Sequence, residues 1–292
     1  MARAPPLQGG CRGFESLWAH VNKPTANQLA EIIELRYPKS LAVEWDVVGF
    51  VTNNSNIVVN NILLTIDVTA EVIAEANEKS IDLIISHHPL ILDPNEISDI
   101  QTKRIQLRQK MEENNIALYV AHTNADIAQG GVNDSLAKVL CLQNIEAFGV
   151  EKMARKGNLT TQITLREFVN LLSDKLPQVK GSIQVSGKLD SKVSKVGLCG
   201  GSGSSLLEEV RKEDVDVFVT ADLKHNAVSD NENMNGPALV SVSHWASEWV
   251  WLPELEQQLK TDLSQKHFNS RIFISEISTD PWNFSLGSNN EG

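Results

Sequence analysis

The chain has 292 residues, 41% of them hydrophobic and 22% charged, enough for two modest domains or one large one. A formal net charge of −11 at pH 7 excludes a broad electrostatic footprint for nucleic acid or an anionic membrane, though not a small basic site for one phosphate ester. No apolar run reaches the roughly 18 residues that span a bilayer, and Cys11, Cys141 and Cys199, odd in number and far apart, fit a reducing cytosol better than a disulfide framework or zinc ribbon.

Residues 1–21 carry Pro5, Pro6, Gly9, Gly10 and Gly13 without apolar periodicity, and they lack the continuous apolar core of a secretory signal. They read as an extension outside the fold. Folding signals begin at Thr25, whose pairing with Gln28 predicts a capping box ahead of Leu29, Ile32 and Ile33. Pro38 ends that helix. Apolar strands over 61–66, 81–86 and 116–121 then alternate with helices over 69–79, 100–114 and 134–140, the pattern of a buried, largely parallel sheet.

The second half repeats the scheme. Thr164 and Glu167 cap a helix, strands are expected over 192–198, 215–220 and 239–242, and a helix over 205–213 separates the first two. A helix starts at Ser243 and is expected to break or kink at Pro253, and 271–277 is a last strand. The expected fold class is therefore α/β (α+β), with a first lobe over 22–148, a second over 149–284 and a frayed tail over 285–292. The last strand is free to return to the first lobe. Laying 65–86 over 199–220 places Asp82 on Asp216, Ser86 on Thr220 and His88 on Asp222. His122-x-x-x-Asp126 then corresponds to His244-x-x-x-Glu248, each just after an apolar strand.

Functional groups in such sheets gather at the carboxyl ends of strands. His87 and His88 follow one strand directly, and their diverging side chains suit two adjacent metals better than one, against the plainer reading of a hydrogen-bonded turn. His244 and Glu248 share a helix face and can grip one ion or bridge two, although the spacing is common by chance. His122 and Asp126 precede Gly130-Gly131, where a cap or turn aspartate is the ordinary expectation. Gly200, Gly201 and Gly203 offer a backbone nest for phosphate, with Lys224 and His225 as nearby cations; tight packing and a solvated turn are the plain alternatives. Trp45, read as buried beside Asp46, either walls a site or packs in the core, and Trp245, Trp249 and Trp251 read as core or subunit-interface anchors.

In chain order, Trp45-Asp46-x-Val48-Gly49, Ser86-His87-His88-Pro89, His122-Thr123-Asn124-x-Asp126, the turn from Gly200 to Gly203, Thr220-Ala221-Asp222-x-Lys224-His225 and His244-x-x-x-Glu248 resemble the GTP cyclohydrolase 1 type 2 homologue family of Nif-three-like proteins with a dinuclear metal centre. The resemblance covers about 21–284, with Val47 where the family usually has Asn and Ala221 where Gly is usual. It implies two intertwined α/β domains, a toroidal homohexamer in the cytoplasm, and a dinuclear site between the domains. It also implies His87, His88, Asp126, His244 and Glu248 as ligands of two metal ions, with His122 close by; the donor set suits zinc, iron, manganese or nickel, and His122 is the candidate proton carrier. The expected activity is metal-dependent hydrolysis that opens the purine ring of GTP or a related nucleotide. The alternatives are a nucleotide phosphoesterase or a metal-binding assembly protein without turnover.

Overall fold

The computed structural model describes residues 22–93 and 95–286. The expected extension over 1–21 and the tail from 287 lie outside the described residues. In chain order the elements are α1 (Ala26–Arg36), β1 (Gly49–Phe50), β2 (Asn61–Thr65), α2 (Ala70–Glu78), β3 (Leu83–Ser86), α3 (Asp99–Glu113), β4 (Ala117–Val120), α4 (Thr123–Ile127) and α5 (Val132–Val139). There follow β5 (Gln143–Phe148), β6 (Ala154–Thr164), α6 (Leu165–Lys175), β7 (Gln184–Ser186), β8 (Lys192–Ser202), α7 (Leu207–Val210), β9 (Val217–Ala221), α8 (His225–Asn233), β10 (Ala238–Ser241), α9 (His244–Trp249), α10 (Trp251–Gln265) and β11 (Arg271–Ile274). Among the described residues no helix is long and apolar enough to cross a membrane.

Two sheets result, ordered β1-β4-β3-β2-β11 and β5-β6-β8-β9-β10-β7. Each is built on three parallel strands, β2-β3-β4 in one and β8-β9-β10 in the other. The same device pins both trios. Asp82 Oδ2 accepts the N–H groups of Asn60 and Asn61 at 2.7 and 3.0 Å, and Asp216 Oδ2 accepts those of Ser194 and Lys195 at 2.7 and 2.8 Å. Each aspartate thereby locks the start of its central strand to the start of its neighbour, supplying partners for strand-end groups that the ladder leaves unpaired.

Alternation along the parallel strands decides the packing. Ile62, Leu64 and Ile85 face a core shared by the two lobes, together with Leu29 and Ile33 of α1, Leu198, Val219 and Leu255 and Leu259 of α10. Leu63, Ile84 and Leu118 face the opposite way, against Val72, Ile73 and Met111. The chain also returns on itself. Strand β11 pairs in parallel with β2 of the first sheet, and α10 packs against α1, where Arg36 grips Asp262 through Nε and Nη2 at 2.5 and 2.7 Å.

Several local expectations change. Strands β5, β6 and β7 are additions, antiparallel to their partners, β5 largely exposed and β6 and β7 of mixed burial, so they lack the continuous apolar signature of the parallel trio. Strand β8 runs on through Gly200 and Gly201 to Ser202. The helix expected over 205–213 shrinks to the four residues of α7 behind a short 3-10 turn. Pro253 does not break a helix; it sits in the first turn of α10, where its missing N–H has no intrahelical acceptor to lose, and the junction with α9 falls at Val250.

Candidate metal centre

Four histidines come together from the carboxyl ends of β3, β4 and β10. His87 and His88 follow β3, His122 follows β4 and His244 opens α9. Neighbouring rings stand 5.1 Å apart between His87 and His88, His87 and His122, and His88 and His244. In each ring Nδ1 faces an oxygen that only accepts: Ala121 O at 3.0 Å for His87, Asp67 Oδ1 at 2.7 Å for His88, Asp46 Oδ1 at 2.8 Å for His122 and Asp222 Oδ2 at 2.5 Å for His244. Nδ1 is thus the donor in all four, and when neutral each ring keeps its lone pair on Nε2. This is the arrangement that fixes tautomer and orientation around bound metals.

Local sequence explains why these rings hold still. Ser243 Oγ caps α9 by accepting from Ala246 N at 3.1 Å, and its own hydroxyl donates to Asp280. The helix therefore starts at a fixed residue, and His244 and Glu248 share one face. At α4 the acid comes from elsewhere in the chain. Asp46 Oδ2 accepts from Thr123 N at 3.0 Å and Thr123 Oγ1 at 2.5 Å, while Oδ1 takes His122. Burial opposes the Asp46 charge, but the His122 and Thr123 hydrogen bonds pull its pKa down to about 2.

Glu248, 3% exposed, is the hub. Its Oε1 lies 3.0 Å from His244 Nε2 and 3.5 Å from His87 Nε2, and its Oε2 lies 3.0 Å from His88 Nε2. Asp126 Oδ1 lies 3.6 Å from His87 Nε2. His87, His88 and His122 present nitrogens at metal-ligand spacing, and so do His88 and His244 with Glu248, the atoms of each trio lying within 4.8 Å of one another. All five residues expected as ligands meet here, with His122 beside them.

The electrostatics are those of donors awaiting a cation. Burial works against the Glu248 charge, but His88, His87 and His244 hold its carboxyl well below the usual range. Burial and the Glu248 charge push Asp126 well above it. Burial lowers His87. For His88 and His244 burial is outweighed by Glu248 and by their aspartate partners, raising His88 well above its ordinary value and His244 to about 9. Two buried atoms, His87 Nε2 and Asp126 Oδ1, have no hydrogen-bond partner among the described residues, and Glu248 Oε2 meets only the His88 ring. Each such orphan costs about 1–3 kcal/mol, a cost that bound cations would remove. Imidazole with carboxylate suits zinc, iron, manganese or nickel, so the residues present fit a metal centre.

The glycines of the expected phosphate nest are spent otherwise. Gly200 N donates to Asn133 Oδ1 at 2.7 Å and Gly201 N to Ser247 Oγ at 2.9 Å, both buried. A Cβ on Gly201, whose φ is +63°, would stand 2.3 Å from Glu248 Oε1. Here glycine makes room for the hub carboxylate. Lys224 and His225 are exposed at the start of α8. Trp45 is not buried: it is 62% exposed and meets His122 edge-on at 6.1 Å. Trp251 is buried, its ring 5.5 Å from His87. Sequence reading missed Asp67, which has no motif of its own. It follows β2 and reaches His88 only through the fold, and its sole sequence signal is being an acid just past the carboxyl end of a parallel strand.

A cleft of about 620 Å³ opens onto His88 and His244. One wall is the segment 279–285, tied to the first lobe by Thr279 Oγ1 donating to Asp67 Oδ2 at 2.5 Å and to the second by Asp280 accepting from Ser243.

With this geometry in hand, similar proteins are informative. Residues 24–281 match the family model described as Duf34/NIF3 (NGG1p interacting factor 3). A GTP cyclohydrolase 1 type 2 homologue from Streptomyces coelicolor is 34% identical over 274 residues, covering 91% of this chain and 96% of that protein. One of the same name from Clostridium acetobutylicum is 30% identical over 263 residues, covering 88% and 97%. Among solved structures, a Bacillus cereus protein related to NIF3 superposes with a TM-score of 0.82 at 26% identity, over 90% of this chain and all of that one.

Proposed function

We propose, from the premise that this chain belongs to the Duf34/NIF3 family, that it is a hydrolase working with two divalent ions held between its lobes. The single observation that carries the reading is the convergence of three Nδ1-anchored imidazoles, His87, His88 and His244, on one buried carboxylate, with His122 beside them and His87 Nε2 and Asp126 Oδ1 left unpartnered. In the proposal His87, His88, Asp126, His244 and Glu248 would hold the ions, Glu248 being flanked by His88 on one oxygen and His244 on the other. When bound, such ions supply Lewis acidity and a nucleophile at neutral pH.

The remaining work falls to the chain. Asp46 fixes His122 with Nδ1 protonated, so Nε2 is the atom that accepts a proton during attack and returns it to the departing nitrogen. Trp251 and the buried face of His87 keep bulk water from the back of the site. The reaction class is hydrolytic opening of a nitrogen-bearing ring, the reaction for which the relatives' name gives GTP as substrate. A cytoplasmic toroidal homohexamer belongs to the same proposal, and sedimentation of the purified chain tests the assembly.

The decisive assay incubates metal-loaded protein with GTP and with guanosine and measures formate against inorganic phosphate. Formate release that disappears in a folded Asp126→Ala variant supports the reading. Phosphate without formate replaces it with a phosphoesterase. Bound metal with neither product replaces it with a metal-binding assembly protein.

A further inference from the structure

The cleft that leads to the centre has an unexpected charge balance for a nucleotide site. Asp67, Asp222 and Asp280 line it, and no lysine or arginine does among the described residues. Lys224 and His225, the expected phosphate contacts, are absent from its walls. Two divalent ions do not reverse this, because six carboxylates (Asp46, Asp67, Asp126, Asp222, Glu248 and Asp280) surround the centre and its mouth. Backbone donors give no relief, since Gly200 and Gly201 have spent their N–H groups. A triphosphate entering here meets a surplus of like charge.

What the cleft does offer is an aromatic wall. Trp282 is 67% exposed, with its indole Cδ1 3.9 Å from where a Cβ on Gly181 would stand, and Phe284, which lines the same cleft, is also exposed. Trp282 is not a loose end, for its backbone N–H donates to Asp280 Oδ1 at 2.9 Å, and Asp280 in turn holds the cap of α9. Exposed aromatics at the mouth of a polar cleft mark a surface for stacking planar rings. Ser182, Gln184 and Ser241 add neutral hydrogen-bonding groups across the gap.

We infer that the cleft admits a planar, nitrogen-bearing ring compound that is uncharged or cationic and carries no phosphate, and that Trp282 stacks on it while Asp280 discriminates against anions. This rests on the proposed reaction class and narrows its substrate from nucleotides to their phosphate-free counterparts. Trp282 and Asp280 are selectivity residues; neither is among the metal donors, and Asp280 reaches them only through the Ser243 cap.

The test is calorimetric binding of guanosine and of GTP to the full chain, before and after zinc loading, with zinc content measured on the same samples. Guanosine is expected to bind about ten-fold more tightly than GTP in both states. Trp282→Ala should weaken guanosine by about ten-fold, the scale of one base–aromatic stack, with zinc content unchanged. Asp280→Asn should narrow the gap between the two ligands. GTP binding as tightly as guanosine overturns the inference, and so does an absence of guanosine binding or its indifference to Trp282→Ala. Failure to take up zinc would sink the proposed hydrolase instead, since the comparison of ligands is also made without zinc.

Discussion

The two lobes share a frame and differ in what they hang on it. In each, an aspartate at the start of the central parallel strand ties down two N–H groups, and the third strand leads into a short helix carrying a histidine and an acid four residues on. The chemistry then diverges. The first lobe supplies His87, His88, His122 and Asp126, whereas the second supplies only His244 and Glu248. Where the first lobe has His88, the second has Asp222, which turns to hold His244 Nδ1. The frame sets where functional groups stand, and single residues set which act as donors and which orient them.

The largest expected effect separates these roles in the second lobe. Gly201→Ala puts a Cβ on Glu248 Oε1 at a φ of +63°, so metal affinity should fall by at least about 100-fold, the upper range for disturbing a ligand's support. Metal titration of the refolded variant measures this, and wild-type affinity would show that the hub carboxylate is not where it is needed. Next come the orienting acids. Asp67→Asn in the first lobe and Asp222→Asn in the second should each cost about 10–100-fold in metal affinity. Equal losses would mean that the lobes contribute symmetrically despite their unequal donor counts.

Proton competition gives a smaller and graded effect. His244 is raised to about 9 and His88 lies well above its ordinary value, so below pH 9 metal must displace protons that Glu248 and the aspartates stabilise. Apparent affinity should therefore rise with pH, by about ten-fold per unit for each proton displaced. A flat profile from pH 6 to 9 would contradict the proposed donors. The smallest effect concerns the frame alone. Asp82→Ala should destabilise by about 1–2 kcal/mol and the more exposed Asp216→Ala by about 1 kcal/mol or less, read by denaturant unfolding. Neither should change metal content.

The parallel trios were legible in the sequence because both faces of β2, β3, β4, β8, β9 and β10 are largely buried, which writes unbroken apolar runs such as Leu83–Ser86. The histidines stood out for a related reason: they interrupt those runs where the fold ends them. Strands β5 and β7 escaped because strands that are exposed or only half-buried carry no such run. The Gly200–Gly201 segment was misleading because glycine signals close approach without saying to what, and the partner is Glu248, far along the chain. Asp67 and the role of Trp282 depend on contacts among Asp67, His88, Thr279 and Asp280 that no local pattern encodes.

The most direct test of a single centre fed by both lobes is elemental analysis of protein purified without added metal or affinity tag, alongside His88→Ala from the first lobe and Glu248→Ala from the second. The account predicts about two equivalents of metal per chain, falling in both variants. Metal retained in either folded variant, or a parent that binds none even after reconstitution, would contradict it.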